Sequence, residues 1–276
     1  MQMKNFNKNK IGLALSSGSA HGLAHIGVLK VLERENIKID FIAGTSIGAY
    51  LGAIWASGIS ASSIEKFVLE FRKKSKILSI MDFSISRSGL LSGKRVISYL
   101  ESIMGDRDFS ELKIPLAVVA MDLSSGCPVI ITKGSVSEAV RASISLPGIF
   151  EPVRYSKQIL IDGGFVEPVP VNVLKEMGAN KIIASNVITC FNKNNSAKIF
   201  TYKRMPSAIS VIVKAMEIVE REMALVSCKG ADIVIQPDVM SYRILDFTKV
   251  KKLIRIGELE AEKYIHSIKQ LVKNQI

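Results

Sequence analysis

The sequence is poor in the residues that mark extracellular or metal-dependent proteins. It has three cysteines, Cys127, Cys190 and Cys228, odd in number, far apart and without metal-ligand spacing. This argues against a disulfide framework or a zinc cluster and fits reduced thiols in a cytoplasmic protein. No metal or other cofactor is expected. The chain is 48% hydrophobic with a mean hydropathy of +0.27, yet no uninterrupted apolar run reaches the roughly 18 residues that cross a bilayer. The first ten residues, MQMKNFNKNK, are basic and polar, and IGLALSSGSAHG follows them instead of a signal core and cleavage site. A secretory leader is therefore not expected. Histidine is scarce too, with only His21, His25 and His266.

Acidic residues are outnumbered, which leaves a formal charge of +12 and a pI near 9.6. Such a balance favours a polyanionic partner. The cations cluster in FRKKSK (71–76) and KVKKLIR (249–255), which also read simply as solvated helix faces. No aromatic-interleaved basic motif, zinc-finger spacing or RNA-binding signature is present, so nucleic acid is not expected. Anionic lipid at the inner face of a membrane is the better candidate for a peripheral contact.

The first half alternates strand-like and helix-like segments. KIGLALS precedes a helical pattern over 20–34, and IDFIAG precedes SIGAYLGAIWASG, whose small residues allow close packing on a sheet. IPLAVVAMDL and PVIIT read as paired strands, and SVSEAVRASISLPG as a helix capped by Ser135 and closed before Pro147. QILIDGG, ANKIIASNVI and ADIVIQPDV add strands, with a long helix after Pro206 and a last one over about 247–272. Alternation of this kind predicts an α/β sandwich around a mainly parallel sheet. The expected organisation is a polar tail over 1–10 and a single domain over 11–276, since CFNKNNSAK is too short and too late to divide the chain.

Three motifs carry chemistry. The first is AGTSIGA, which places Ser46 in a G-x-S-x-G pattern between an apolar strand and a small-residue helix. Gly44 and Gly48 relieve the crowding there. Such an elbow exposes a serine hydroxyl at the sheet edge, next to a helix amino terminus. The same pattern also fits a serine cap between packing glycines. None of the three histidines follows a strand end, where a hydrolase would hold its base. The better base is Asp162 in LIDGGFVEPVP, followed by Gly163 and Gly164; parallel strands would bring its end beside Ser46. By itself, a D-G turn more often just satisfies backbone amides.

The third motif is SSGSAHG, from Ser16 to Gly22, between strand and helix. Amides at Gly18 and Ser19 would bind an oxyanion, each worth roughly 3 kcal/mol in well-studied hydrolases. Nucleotide phosphate is the rival ligand. Against it, Ser17 and Ser19 occupy the first two glycine positions of the dinucleotide motif, although Asp40 falls near the distance of a ribose-binding acid. GLLSGKR resembles a phosphate loop but has the wrong spacing, and Arg95 stands where Ser or Thr is required.

Taken together and in order, these blocks resemble the bacterial patatin-like phospholipases. GLAHIGVLKVLE, FIAGTSIGAYLGA, AVRASISLPGIFEPV, LIDGGFVEPVPVNVLKEMGA and LDFTKVKKLIRIGELEA cover most of the chain. The resemblance implies a three-layer α/β/α sandwich and lipid acyl hydrolysis by a Ser-Asp dyad without metal, acting on phospholipids or lysophospholipids. It maps Ser46 onto the nucleophile, Asp162 onto the dyad acid, and Gly18 and Ser19 onto the oxyanion hole. The chain departs from the family's glycine-rich loop, in which a cation precedes the last glycine: here Ser17, Gly18, Ser19, Ala20, His21 and Gly22 fill those positions. Serine takes positive φ less freely than glycine, and His21 replaces a permanent charge with one that titrates. A regulatory or lipid-binding protein with weakened hydrolysis is the alternative expectation.

Overall fold

The computed structural model describes residues 9–71, 91–188 and 205–273. Most of the first basic cluster, most of the stretch SIMDFSISRSGLLSG over 79–93, which by sequence reads as an ordinary connector or a lid, the CFNKNNSAK stretch and Cys190 lie outside the described residues.

All eight described strands join one sheet. The strands β1 (Ile11–Leu15), β2 (Phe41–Thr45), β3 (Leu116–Asp122), β7 (Lys181–Ser185) and β8 (Ile233–Ile235) form its parallel part, in the order β3-β2-β1-β7-β8. At the other end, β6 (Gln158–Asp162) pairs antiparallel with β3, and β5 (Val153–Tyr155) with β6. β4 (Pro128–Ile131) forms the expected hairpin with β3. The sheet is thus mainly parallel, with one antiparallel flank.

Side chains alternate along each strand, and the two faces differ in bulk. Leu13, Leu15, Ile42, Leu116 and Val118 point into the larger core. That core is covered by α1 (Leu23–Arg34), α2 (Ile47–Ala56), α3 (Ala61–Phe71), α4 (Lys94–Met104), α5 (Val136–Ser143) and α8 (Val250–Lys273). Ala14, Ala43, Ala117 and Ala184 line the opposite face, where small side chains let α6 (Val171–Glu176) and the end of α7 (Ala208–Ser227) pack close. The result is the three-layer α/β/α arrangement. No described helix is long and apolar enough to cross a membrane.

Candidate active site

The carboxyl ends of β1 and β2 are neighbours, with Leu15 in register with Gly44. After β2 the chain turns into α2 through one residue, Ser46, at φ 54° and ψ −120°. A non-glycine residue pays for this conformation, so the surroundings must impose it. A Cβ on Gly44 would sit 2.6 Å from the Ala49 nitrogen, and one on Gly48 would strike the Leu15 carbonyl. Both glycines are therefore required by close backbone approach. The Ser46 amide donates to Ser143 Oγ at 2.8 Å, and Ser143 Oγ in turn donates to the Val119 carbonyl at 2.6 Å. Thr45 Oγ1 ties the preceding residue to the Glu167 carbonyl at 2.7 Å.

Asp162 reaches the elbow by a route other than the expected one. In the parallel pair, Thr45 is in register with Val119, so Ser46 stands level with Ala120. In the antiparallel pair, Asp162 is in register with the same Ala120. β6 begins beyond the end of β3 and runs back toward the elbow; parallel strand ends do not make the meeting. Ser46 Oγ donates to Asp162 Oδ2 at 2.6 Å, and the Gly164 amide donates to Oδ1 at 2.8 Å. The Asp162 amide is fixed on the Ser145 carbonyl at 3.0 Å, and Gly163 lies against the Val119 backbone. Only 1% of Asp162 is exposed. Burial pushes its carboxyl up to about 7, against the opposing hydrogen bonds from Ser46 and Gly164. A carboxyl at that value is poised to exchange a proton near neutrality.

The loop after β1 closes one side of the same space. Its amides divide into two groups. Those of Ser16, Ser17, Ala20 and His21 donate to Ser185, Pro168, Ile244 and Gly18 carbonyls. No acceptor among the described residues is paired with the amides of Gly18 or Ser19, and both residues line the cavity that holds Ser46 and Asp162. Gly18 has φ 136°, and Ser19 adopts φ 48° despite its side chain. Ser17 keeps negative φ, and its buried hydroxyl lies against Glu220 of α7. Ala20 is buried in the turn, and Gly22 packs against Ile47. His21 turns its ring onto the Tyr242 carbonyl at 2.9 Å, and burial lowers its pKa. It faces a smaller adjoining cavity, and burial disfavours the charge that would stand in for a cation.

The cavity measures about 460 Å³ and is mostly apolar, with Leu23, Leu51, Phe67, Ile144 and Phe150 in its wall. Arg141 of α5 braces the segment beneath it, donating to the Ser92 and Glu151 carbonyls and to Ser145 Oγ, with Phe150 stacked against its guanidinium. A dyad-like Ser/Asp pair, two amides without an acceptor among the described residues and an apolar chamber suit attack on an ester that carries a long hydrocarbon group.

Residues 13–175 match the family described as patatin-like phospholipase. The chain belongs to that family. It is 30% identical over 94% of its length to neuropathy target esterase sws of Drosophila melanogaster, and 31% identical over 90% to patatin-like phospholipase domain-containing protein 7 of Rattus norvegicus. The chain spans about a fifth (20%) of the length of each of these relatives. An uncharacterised NTE family protein of Mycobacterium bovis is 33% identical over 67% of this chain and 51% of its own. Among solved structures, VipD from Legionella pneumophila superposes with a TM-score of 0.54 at 12% identity, covering 94% of this chain and 67% of that one, a likeness of fold alone.

Within this patatin-like chain, the histidines stand apart from Ser46 and Asp162. His25 is fully buried between Ser185 Oγ (2.8 Å) and the Ser16 carbonyl (3.0 Å), where burial lowers its pKa to about 4. It fastens the first loop to β7. His266 is exposed and meets Gln270. Sequence reasoning missed Ser143, Ser145 and Glu220. The two serines lie inside AVRASISLPG, a block quoted above without a role, and their hydrogen bonds reach back across the sheet. Glu220 sits in a helix that reads as ordinary.

Proposed function

We propose that this patatin-like protein is a serine lipid acyl hydrolase that cleaves carboxyl esters of phospholipids or lysophospholipids. The observation that carries the reading is the 2.6 Å contact between Ser46 Oγ and Asp162 Oδ2 at the wall of an apolar cavity. Ser46 Oγ attacks the ester carbonyl while Asp162 takes its proton. The Gly18 and Ser19 amides stabilise the tetrahedral oxyanion. Collapse expels the alcohol with the proton held by Asp162 and leaves an acyl-serine. Water then adds to that acyl group, again giving its proton to Asp162, and release of the fatty acid restores Ser46. The word esterase in the name of the Drosophila relative fits this chemistry.

A peripheral contact with anionic membrane belongs to the same reading. Val211, Ile218 and Val226 of α7 are exposed apolar residues on the helix whose inner residues Val213 and Met216 line the cavity. Exposed apolar area of this kind suits a lipid interface, and the charge of +12 suits an anionic one. Ser19 gives the alternative its one specific support, because a strained oxyanion loop would weaken hydrolysis and leave a lipid-binding protein. Incubating the purified protein with defined phospholipid and lysophospholipid vesicles and profiling the products separates the two. Free fatty acid from wild type but not from Ser46→Ala supports the hydrolase; lipid binding without products supports the alternative.

A further inference from the structure

Helix α7 is built inside out at one point. Its outward side carries Val211, Ile218 and Val226, whereas its inward side carries Val213, Met216, Ala224 and a carboxylic acid, Glu220. Glu220 is 3% exposed, and its Oε1 has no hydrogen-bond partner. The side chain presses on Gly164, where a Cβ would collide with Oε1. Gly164 is the residue whose amide holds Asp162 Oδ1, so Glu220 lies one residue's packing away from the proposed base. It also lines the cavity that contains Ser46 and Gly18.

The charged and titratable groups around it do not neutralise it. Asp162 faces it from β6, and Glu217 from its own helix. Lys214 is paired with Glu217, and Arg221 with Glu222. His21, across a smaller adjoining cavity, is buried with a lowered pKa. The nearby Ser17 hydroxyl, itself without a hydrogen-bond partner among the described residues, is the neighbour whose dipole favours the charged form. Among the described residues no cation is paired with Glu220. A buried carboxylate without a cation, beside a second carboxylate, is too costly to persist.

We propose, on the basis of the hydrolase reading above, that Glu220 is a second carboxyl of the reaction site, protonated while Asp162 is ionised, and that its ionisation ends activity at alkaline pH. The order of proton loss follows from position. Asp162 has the Ser46 and Gly164 hydrogen bonds to stabilise its charge and ionises first, near 7. Burial and the Asp162 charge then hold Glu220 up to about 8. Once ionised, Glu220 sets a second negative charge on the cavity wall it shares with Gly18, against the oxyanion developing there. Environments that push two carboxyls apart in this way divide their roles at one pH.

The test is the pH dependence of kcat/KM for a short-chain 4-nitrophenyl ester, corrected for spontaneous hydrolysis, in the full chain and in Glu220→Gln. Wild type is expected to fall about tenfold per pH unit above about 8, and Glu220→Gln to lose that fall while keeping the rise near 7. The same alkaline fall in both proteins, or in neither, overturns the proposal. If Glu220→Gln does not fold, Ser17→Ala serves instead. Loss of the hydroxyl that favours the charged form should move the fall to higher pH, and an unmoved fall overturns the proposal. Labelling of wild type by a fluorophosphonate keeps the two readings apart. No labelling of Ser46 sinks the hydrolase itself, whereas normal labelling with superimposable profiles sinks only the role of Glu220.

Discussion

The turn after β1 and the turn after β2 are neighbours on one sheet edge, and each forces a serine to positive φ, Ser19 at 48° and Ser46 at 54°. They use their serines in opposite ways. At Ser46 the side chain is proposed to react, and the backbone around it has no slack, since Gly44 and Gly48 are both closed in by neighbouring main chain. At Ser19 the amide is proposed to act, and the side chain is incidental to that role. The strain at Ser46 is thus tied to the proposed nucleophile, while the strain at Ser19 is a cost that glycine would remove. Sequence conformity and chemical need separate here: the second turn keeps the G-x-S-x-G pattern, whereas the role proposed for the first asks only for a backbone N–H, which every residue but proline supplies.

The sharpest way to break this contrast is to disable the partner of Ser46. Asp162→Asn should lower turnover by at least roughly 10⁴-fold, the loss that follows removal of the merely orienting carboxylate of a Ser-His-Asp triad, because Asp162 is here proposed as the proton acceptor itself. In wild type, kcat/KM should fall as pH drops through about 7, because protonation removes the base. Gly48→Ala should cost about 3 kcal/mol in denaturant unfolding, since its Cβ meets the Leu15 carbonyl and backbone cannot yield cheaply. Ser143→Ala should lower kcat about 30-fold with an unchanged fold. It leaves the Ser46 amide and the Val119 carbonyl without their shared partner, a loss of about 2 kcal/mol. The smallest effect is at the other turn: Ser19→Gly should leave turnover unchanged or raise it by up to about fivefold, by easing the positive φ. A large loss in Ser19→Gly would show that its side chain matters and would erase the contrast.

What could be read from the sequence follows the range of the interactions. The elbow was legible because strand, serine, glycines and helix are contiguous, and each glycine answers a local demand. The pairing of Ser46 with Asp162 was legible from motif order, but its cause was not. An antiparallel flank that runs back beside β3 leaves no short-range mark, so parallel strand ends were expected to do that work. Ser143 and Glu220 were not legible at all. Ser143 is one hydroxyl among several in its segment, and its partners are Ser46 and Val119, distant in the chain. Glu220 breaks the polarity of its helix on the inward side, yet the outward side is also apolar, so no helical periodicity shows which way the acid faces. The titrating charge that His21 suggests by sequence is suppressed by burial, and its ring is committed to the Tyr242 carbonyl, contacts that leave no mark on the local sequence.

The central claim is that Ser46 forms a covalent acyl intermediate. Intact-protein mass after treatment with a fluorophosphonate tests it most directly, in wild type and Ser46→Ala side by side. The account predicts a single adduct on wild type, located at Ser46 by peptide mapping, and none on Ser46→Ala, which should also lose turnover by more than about 10⁴-fold. An adduct on Ser46→Ala, or undiminished ester turnover by that variant, would contradict it.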